Sequence, residues 1–238
     1  MRKMSYYTFS DFFIQSSEEI TPDGIGIIYG ILSDKWRHSR TLPKGVGKGL
    51  QVRKKKKGGK WTNYASRAIR DVVFFGIERV VPPSEKSVSR SYRNYFTEDE
   101  EEGYELDVRD VVGKILRKKY ERFWYAKHSK YRLPHVSYRG VTYSGFNMGA
   151  GENTLFDIIA TIFSSPPGIL IIIDEIELGL HEDAQKRFVR ELKKVCRDRH
   201  VQIIATTHSP TILKSVPPEA RFFISAHKNE TRVINGIS

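Results

Sequence analysis

Residues 168–175 read Gly-Ile-Leu-Ile-Ile-Ile-Asp-Glu. Five apolar residues in succession, four of them isoleucine, form the pattern of a strand buried on both faces, as in a parallel sheet covered by helices. The run ends in two carboxylates, Asp174 and Glu175. Open α/β sheets bind their ligands beyond the carboxyl ends of such strands. Successive strand residues point to opposite sides, so one carboxylate can reach a metal while the next faces a water. An aspartate placed there can hold Mg²⁺ against nucleotide phosphates, and the glutamate can polarise an attacking water. Acidic residues also end strands because turns are solvated, so the pair gains meaning only from its neighbours.

Downstream, Val201 to Ala205 reads as a second buried strand, followed by Thr206-Thr207-His208-Ser209-Pro210. Ser209 and Pro210 are an N-cap and a first-turn residue, so a helix is predicted to start there. His208 then sits at a strand tip, where it can bond a phosphate oxygen or the attacking water; the plainer reading is a turn histidine. Between the strands, Glu182 to Arg197 carries Ala184, Phe188, Leu192 and Val195 on one stripe, the pattern of a βαβ crossover helix. Cys196 borders that stripe and reads as packing rather than as a nucleophile. Upstream, Asn147-Met148-Gly149-Ala150-Gly151-Glu152 precedes a helical pattern with Leu155, Ile158, Ile159 and Ile162 on one side. Small residues at a helix start let backbone N–H groups approach an anion, although a plain loop-to-helix turn has the same look. The order of these parts is far more specific than any one of them.

The preceding part of the chain differs in charge. Residues 1–140 hold 29 Lys+Arg against 17 Asp+Glu, whereas residues 141–238 hold 11 of each, so the whole net charge of +12 lies in the first part. A basic face suits polyanions, nucleic acid among them, and equally suits simple solubility. Tyr6 to Ile14, Gly24 to Leu32 and Val72 to Ile77 read as strands. Arg53 to Lys60 packs six Lys/Arg around Gly58-Gly59, which predicts an exposed hairpin tip. Lys44-Gly-Val-Gly-Lys-Gly49 suggests a phosphate loop, but Leu42 and Gly49 stand where that motif needs glycine and a hydroxyl. A helix is predicted over 107–127, with Val108, Val111, Val112, Ile115, Leu116, Tyr120 and Phe123 at helical spacing. Arg109, Arg117, Lys118 and Arg122 fall off that stripe and read as a solvated face.

Of the 238 residues, 39% are hydrophobic and 29% charged, the composition of a folded globular protein. The longest uncharged stretch, 158–173, is broken by Ser-Ser-Pro-Pro-Gly and is too short for a membrane span, which needs about 18–20 apolar residues. No signal peptide opens the chain, and the single cysteine suits a reducing compartment, so a cytoplasmic location is expected.

Taken together, these motifs resemble the C-terminal half of an ABC-type ATPase head, in the branch that includes RecF, SMC and OLD ATPases. Residues 148–152, Met148-Gly149-Ala150-Gly151-Glu152, resemble the nucleotide-covering signature. Residues 169–175 resemble Walker B, which would make Asp174 the Mg²⁺-linked carboxylate and Glu175 the general base. Glu177, Leu178, Gly179, Leu180 and His181 resemble the D-loop, and His208 the switch histidine that senses the γ-phosphate. Residues 71–85 resemble the lobe linking the two halves of such heads. The resemblance implies an α/β, P-loop NTPase-like fold, with a basic N-terminal lobe over 1–134 and an ATPase subdomain over 135–238. It further implies ATP and Mg²⁺ sandwiched at a dimer seam, with nucleic-acid binding in DNA repair or phage defence.

Two departures stand out. Gly149 replaces the family serine and Ala150 the first signature glycine, which removes a hydroxyl but keeps the backbone donors. No Walker A lysine is recognisable, so that loop is expected from an upstream segment, a homodimer mate or a partner chain. A non-catalytic nucleic-acid-binding remnant is the main alternative. A metal-dependent nuclease built on Asp174 and Glu175 is the other, and it lacks a further carboxylate cluster.

Overall fold

A computed structural model describes residues 16–19, 24–34, 36, 38–55, 62, 70–81, 85, 93–129, 131–227 and 230–236. The strand expected over 6–14 and the lysine-rich tip at 56–60 lie outside the described residues. The described residues divide into two compact units, those up to residue 70 and those from residue 71 onward.

In the first unit, β1 (Ile25–Ser33) pairs antiparallel with β2 (Gly47–Lys55), Ile25 opposite Lys55 and Ser33 opposite Gly47. Trp36 is seated against the start of β2: its Nε1–H donates to the Gly47 carbonyl at 3.0 Å. A Cβ at Gly49 would lie 2.9 Å from the Trp36 ring. Gly49 thus makes room for an indole, and the segment is a strand entrance.

The second unit holds the parallel sheet that the isoleucine run predicts. β3 (Val72–Phe75) leads into a 3₁₀ turn, Ile77–Val80, so the strand ends two residues before its predicted limit. Two-residue β4 (Thr97–Glu98) precedes helix α1 (Glu105–Leu116), β5 (Tyr120–His128), β6 (Tyr131–Tyr138) and β7 (Val141–Ser144). Helix α2 (Ala150–Ser164), β8 (Leu170–Ile173), helix α3 (Glu182–Asp198), β9 (Gln202–Ala205) and the short helix α4 (Pro210–Ser215) follow. An antiparallel pair, β10 (Phe222–His227) and β11 (Glu230–Asn235), comes last. The parallel order is β3-β8-β9, with α3 as the β8-to-β9 crossover; β4-β5-β6-β7 form a separate antiparallel sheet.

One core serves both sheets. Leu155, Ile158, Ile159 and Ile162, the predicted stripe of α2, are all fully buried together with Ile171, Ile173 and Phe188. Each burial of that kind stabilises by about 1.5–3 kcal/mol. Residues 104–136 share this core with 148–212, so packing divides the chain at 70/71 while the charge balance changes near 140.

The helix predicted over 107–127 is corrected. It stops at Leu116, because Arg117 adopts a left-handed backbone (φ 56°) and the Lys118 N–H turns back to the Gly113 carbonyl at 3.0 Å. The chain then re-enters as β5. A bulge between Tyr120 and Arg122 puts Tyr120, Phe123 and Tyr125 all on the buried side. An extra residue in a strand converts a two-residue period into a three-residue step, which reads as helical spacing in the sequence. Lys118, expected on a solvated face, is instead half-buried and ion-paired with Glu152, whereas Arg122 is exposed as expected and pairs at the surface with Glu98 and Glu101.

Candidate nucleotide site

β8 and β9 run side by side with Ile173 opposite Ala205, so both strands end at the same level. Asp174-Glu175 leaves one tip and Thr206-Thr207-His208 the other. Hydrogen bonds stitch the tips together. The Thr206 hydroxyl donates to Asp174 Oδ1 at 2.6 Å and accepts from the Glu175 N–H at 2.7 Å. The Ile176 N–H donates to the Thr206 carbonyl at 3.1 Å, and the Asp174 N–H to the Phe75 carbonyl at 2.9 Å. Glu177 grips the other side: Oε2 accepts from the Thr207 hydroxyl and Oε1 from the His208 N–H, each at 2.6 Å. His208 Nε2 then lies 3.9 Å from Glu175 Oε1, with the histidine side chain 88% exposed and the glutamate 37%. That gap is beyond hydrogen-bond length, and both groups face solvent.

Glu175 has φ 47°, a left-handed conformation unusual for a non-glycine residue and costing about 1–2 kcal/mol. It swings the chain out of the strand into a turn closed by Leu178 N–H to Glu175 O and Leu180 N–H to Glu177 O, both 3.0 Å. Arg79, only 4% exposed, lies behind this turn. Its Nη1 donates to the carbonyls of Gly76 (2.9 Å) and Asp174 (2.6 Å), and its Nη2 to that of Glu175 (2.6 Å). Burial pulls the Arg79 pKa below the ordinary arginine value, and the nearby charges of Asp174, Glu175 and Glu177 oppose that fall. His181 caps α3 by accepting from the Ala184 N–H, and Ser209 caps α4 by accepting from the Ile212 N–H. Cys196 has its thiol pushed up to about 11 by burial, so it is no nucleophile at neutral pH.

The glycine turn meets the cluster from the side of residue 179. Helix α2 starts at Ala150 with Gly149 as its N-cap. Gly151 packs on Gly179, four residues beyond Glu175: a Cβ on Gly151 would stand 2.0 Å from the Gly179 carbonyl oxygen, and one on Gly179 2.8 Å from the Gly151 nitrogen. Gly179 also has φ 79°. Thus Asp174, Glu175 and His208 converge directly, whereas turn 149–151 abuts Gly179 and Leu180. Met148 is buried in the core, and Glu152 points inward, where Oε1 accepts from Lys118 Nζ (2.8 Å), the Tyr143 hydroxyl (2.8 Å) and the Tyr120 hydroxyl. Burial and this carboxylate raise the pKa values of both tyrosines. Gly151→Ala is expected to cost about 1–3 kcal/mol, because backbone meets backbone and no rotamer relieves it. Thermal unfolding measures this; wild-type stability would mean that the Gly151–Gly179 contact is not tight.

Arg79, Thr206 and Thr207 are site residues that the motif reading missed. Thr206 and Thr207 stand beside His208, so a strand-end run of hydroxyls was the available signal. Arg79 lies in the 71–85 segment that resembles the linking lobe, but that resemblance gave it no role in the site, since its partners are backbone carbonyls 95 and 96 residues away.

The oxygens at the strand tips suit a hard cation. Mg²⁺ is typically held by one or two carboxylates, waters and substrate phosphates. Asp174, oriented by Thr206, provides such a carboxylate; among the described residues no group of three or more His, Cys, Asp or Glu that could hold a metal gathers at this site or elsewhere, so waters and substrate phosphates would complete the shell. Among the same residues no helix is long and apolar enough to cross a membrane.

Comparison with solved structures defines the class. The fold is that of an SMC-type ATPase head. It matches an SMC head bound to the C-terminal winged-helix domain of ScpA at TM-score 0.61 and 14% identity, covering 97% of this chain and 80% of that one. It matches the SMC head domain of Thermotoga maritima at TM-score 0.53 and 12% identity, covering 94% and 78%. Residues 55–214 match the family described as "AAA domain, putative AbiEii toxin, Type IV TA system", and the chain belongs to that family of AAA ATPase domains. It is also 32% identical over 104 residues to the "Retron Vc95 probable ATPase" of Vibrio cholerae serotype O1 biovar El Tor, over 37% of this chain. The chain matches 20% of that relative's length.

Proposed function

We propose that this domain hydrolyses ATP as part of an ABC-type head, with the nucleotide enclosed at a dimer seam. The observation that carries the reading is the meeting of Asp174, Glu175 and His208 at the ends of two adjacent parallel strands. In this reading Glu175 accepts the proton of the water that attacks the terminal phosphorus, while the bond from that phosphorus to the ADP oxygen breaks. His208 holds an oxygen of the same phosphate. Asp174 would hold Mg²⁺, whose charge screens the phosphate oxygens. Gly149, Ala150 and Gly151 would offer the N–H groups of the α2 start to the nucleotide of the other protomer, and the turn of Glu177, Gly179, Leu180 and His181 would line the seam. Loop residues cradling the β- and γ-phosphates would come from an upstream segment or a partner. Strand β9 supports that reading: among the described residues it pairs only with β8, and Ile204 is 60% exposed. The test is Mg²⁺-dependent ATP turnover and ATP-driven association, compared between wild type and Glu175→Gln. Turnover that survives in the variant removes Glu175 from the role of base.

The retron ATPase relative and the toxin–antitoxin description of the family favour a defence role, in the cytoplasm, over general repair. The excess of positive charge in residues 1–140 favours a nucleic-acid partner, whether or not ATP is hydrolysed. If six or more phosphates are contacted, affinity is expected to fall at least about 10³-fold between 50 and 200 mM salt. A flat salt response in a binding titration would remove nucleic acid from the proposal.

A further inference from the structure

We propose that Arg79 is the positioning residue of this site, setting the backbone of the Asp174-Glu175 pair and thereby aiming the Glu175 carboxylate, with Thr206 gripping the same peptide from the opposite side. The inference rests on the reading of Glu175 as base. In an extended strand, successive carbonyls point to opposite edges, so one side chain cannot serve two in a row. Arg79 does serve two in a row, Nη1 at Asp174 O and Nη2 at Glu175 O. That is possible only because the chain leaves strand geometry at Glu175, with φ 47°. Strained conformations of this kind persist where the surroundings over-determine them. Here the determinants are visible: Arg79 holds the Glu175 carbonyl, and the Thr206 hydroxyl holds its N–H while also bonding Asp174.

The chemistry of the side chain fits this task. Arg79 makes no hydrogen bond to the Asp174 or Glu175 carboxylate; its bonds go to three backbone carbonyls, Gly76 among them. A planar fork that addresses two adjacent carbonyls transmits direction, which the single ammonium of a lysine does not. Arg79 reaches the site because it sits on the turn immediately after β3, and β3 is the parallel neighbour of β8.

The experiment compares Arg79→Lys, Thr206→Val and Glu175→Gln in the complete natural protein. Arg79→Lys is expected to lower kcat about 100-fold, the scale of an ångström-sized misplacement, with KM and Mg·ATP affinity near wild type. In the nucleotide-free protein, ¹⁵N NMR should show faster hydrogen exchange at the Glu175 amide in both Arg79→Lys and Thr206→Val. The double variant Arg79→Lys/Glu175→Gln should turn over no more slowly than Glu175→Gln alone, since Arg79 acts through Glu175. Full activity of Arg79→Lys beside an inactive Glu175→Gln overturns this inference and leaves the proposed function standing, and so do additive losses in the double variant. Full activity of Glu175→Gln overturns both. Should Arg79→Lys fail to fold, Thr206→Val reads the same grip from the β9 side, and an unchanged kcat and Glu175 amide there overturn the inference.

Discussion

Glu175→Gln is expected to lower ATP turnover by about 10²–10⁴-fold, the usual contribution of a positioned general base, while leaving nucleotide affinity nearly unchanged. Glutamine has almost the same shape but cannot accept the proton of an attacking water. The structural duties of residue 175 belong to its backbone, whose N–H donates to Thr206 and whose carbonyl accepts from Arg79 and Leu178. The substitution leaves those atoms in place, so the fold should be unaffected. It also removes one negative charge 3.9 Å from His208, which favours an anionic phosphate there. The variant should therefore hold ATP and persist in any ATP-driven dimer. Single-turnover measurements with nucleotide binding followed in parallel separate the chemical step from binding.

Phe156→Ala is expected to destabilise the second unit by about 3–5 kcal/mol. Phe156 is fully buried on α2 and stacks on Phe123 of β5, with ring centroids 4.6 Å apart and planes 11° from parallel. Tyr120 meets it edge-on at 5.3 Å. Truncation loses the transfer energy of the ring and both aromatic contacts, and leaves a cavity between the antiparallel sheet and α2. At about 2–4 °C per kcal/mol for a unit of this size, the midpoint should fall by about 6–20 °C. The exposed Val141, replaced by Ala, should stay within about 0.5 kcal/mol as a control. A small effect at Phe156 would mean that the sheet and α2 do not share a core.

Much of the site was legible because its parts are local. An isoleucine run ending in two acids, a helix cap written as Ser209-Pro210, and an amphipathic stripe over Glu182 to Arg197 each state their conformation within a few residues. The antiparallel sheet was less legible. Its bulge at Tyr120/Arg122 gave the strand a helical spacing, and the left-handed turn at Arg117 that ends α1 uses a residue with no special preference for it.

Strand, helix and cap are settled by neighbours in the chain, because periodicity and local hydrogen bonds act within one turn or one pleat. For that reason the amino-acid order alone determined the parallel α/β character, the carboxylates at the strand tip and the histidine beside them. Only tertiary structure decided what holds them. Arg79 reaches across 95 residues to two carbonyls, Gly151 meets Gly179, and Glu152 turns inward to Lys118 and two tyrosines. Such contacts depend on where separate elements dock, and backbone carbonyls are common to every residue, so no side-chain pattern could announce them.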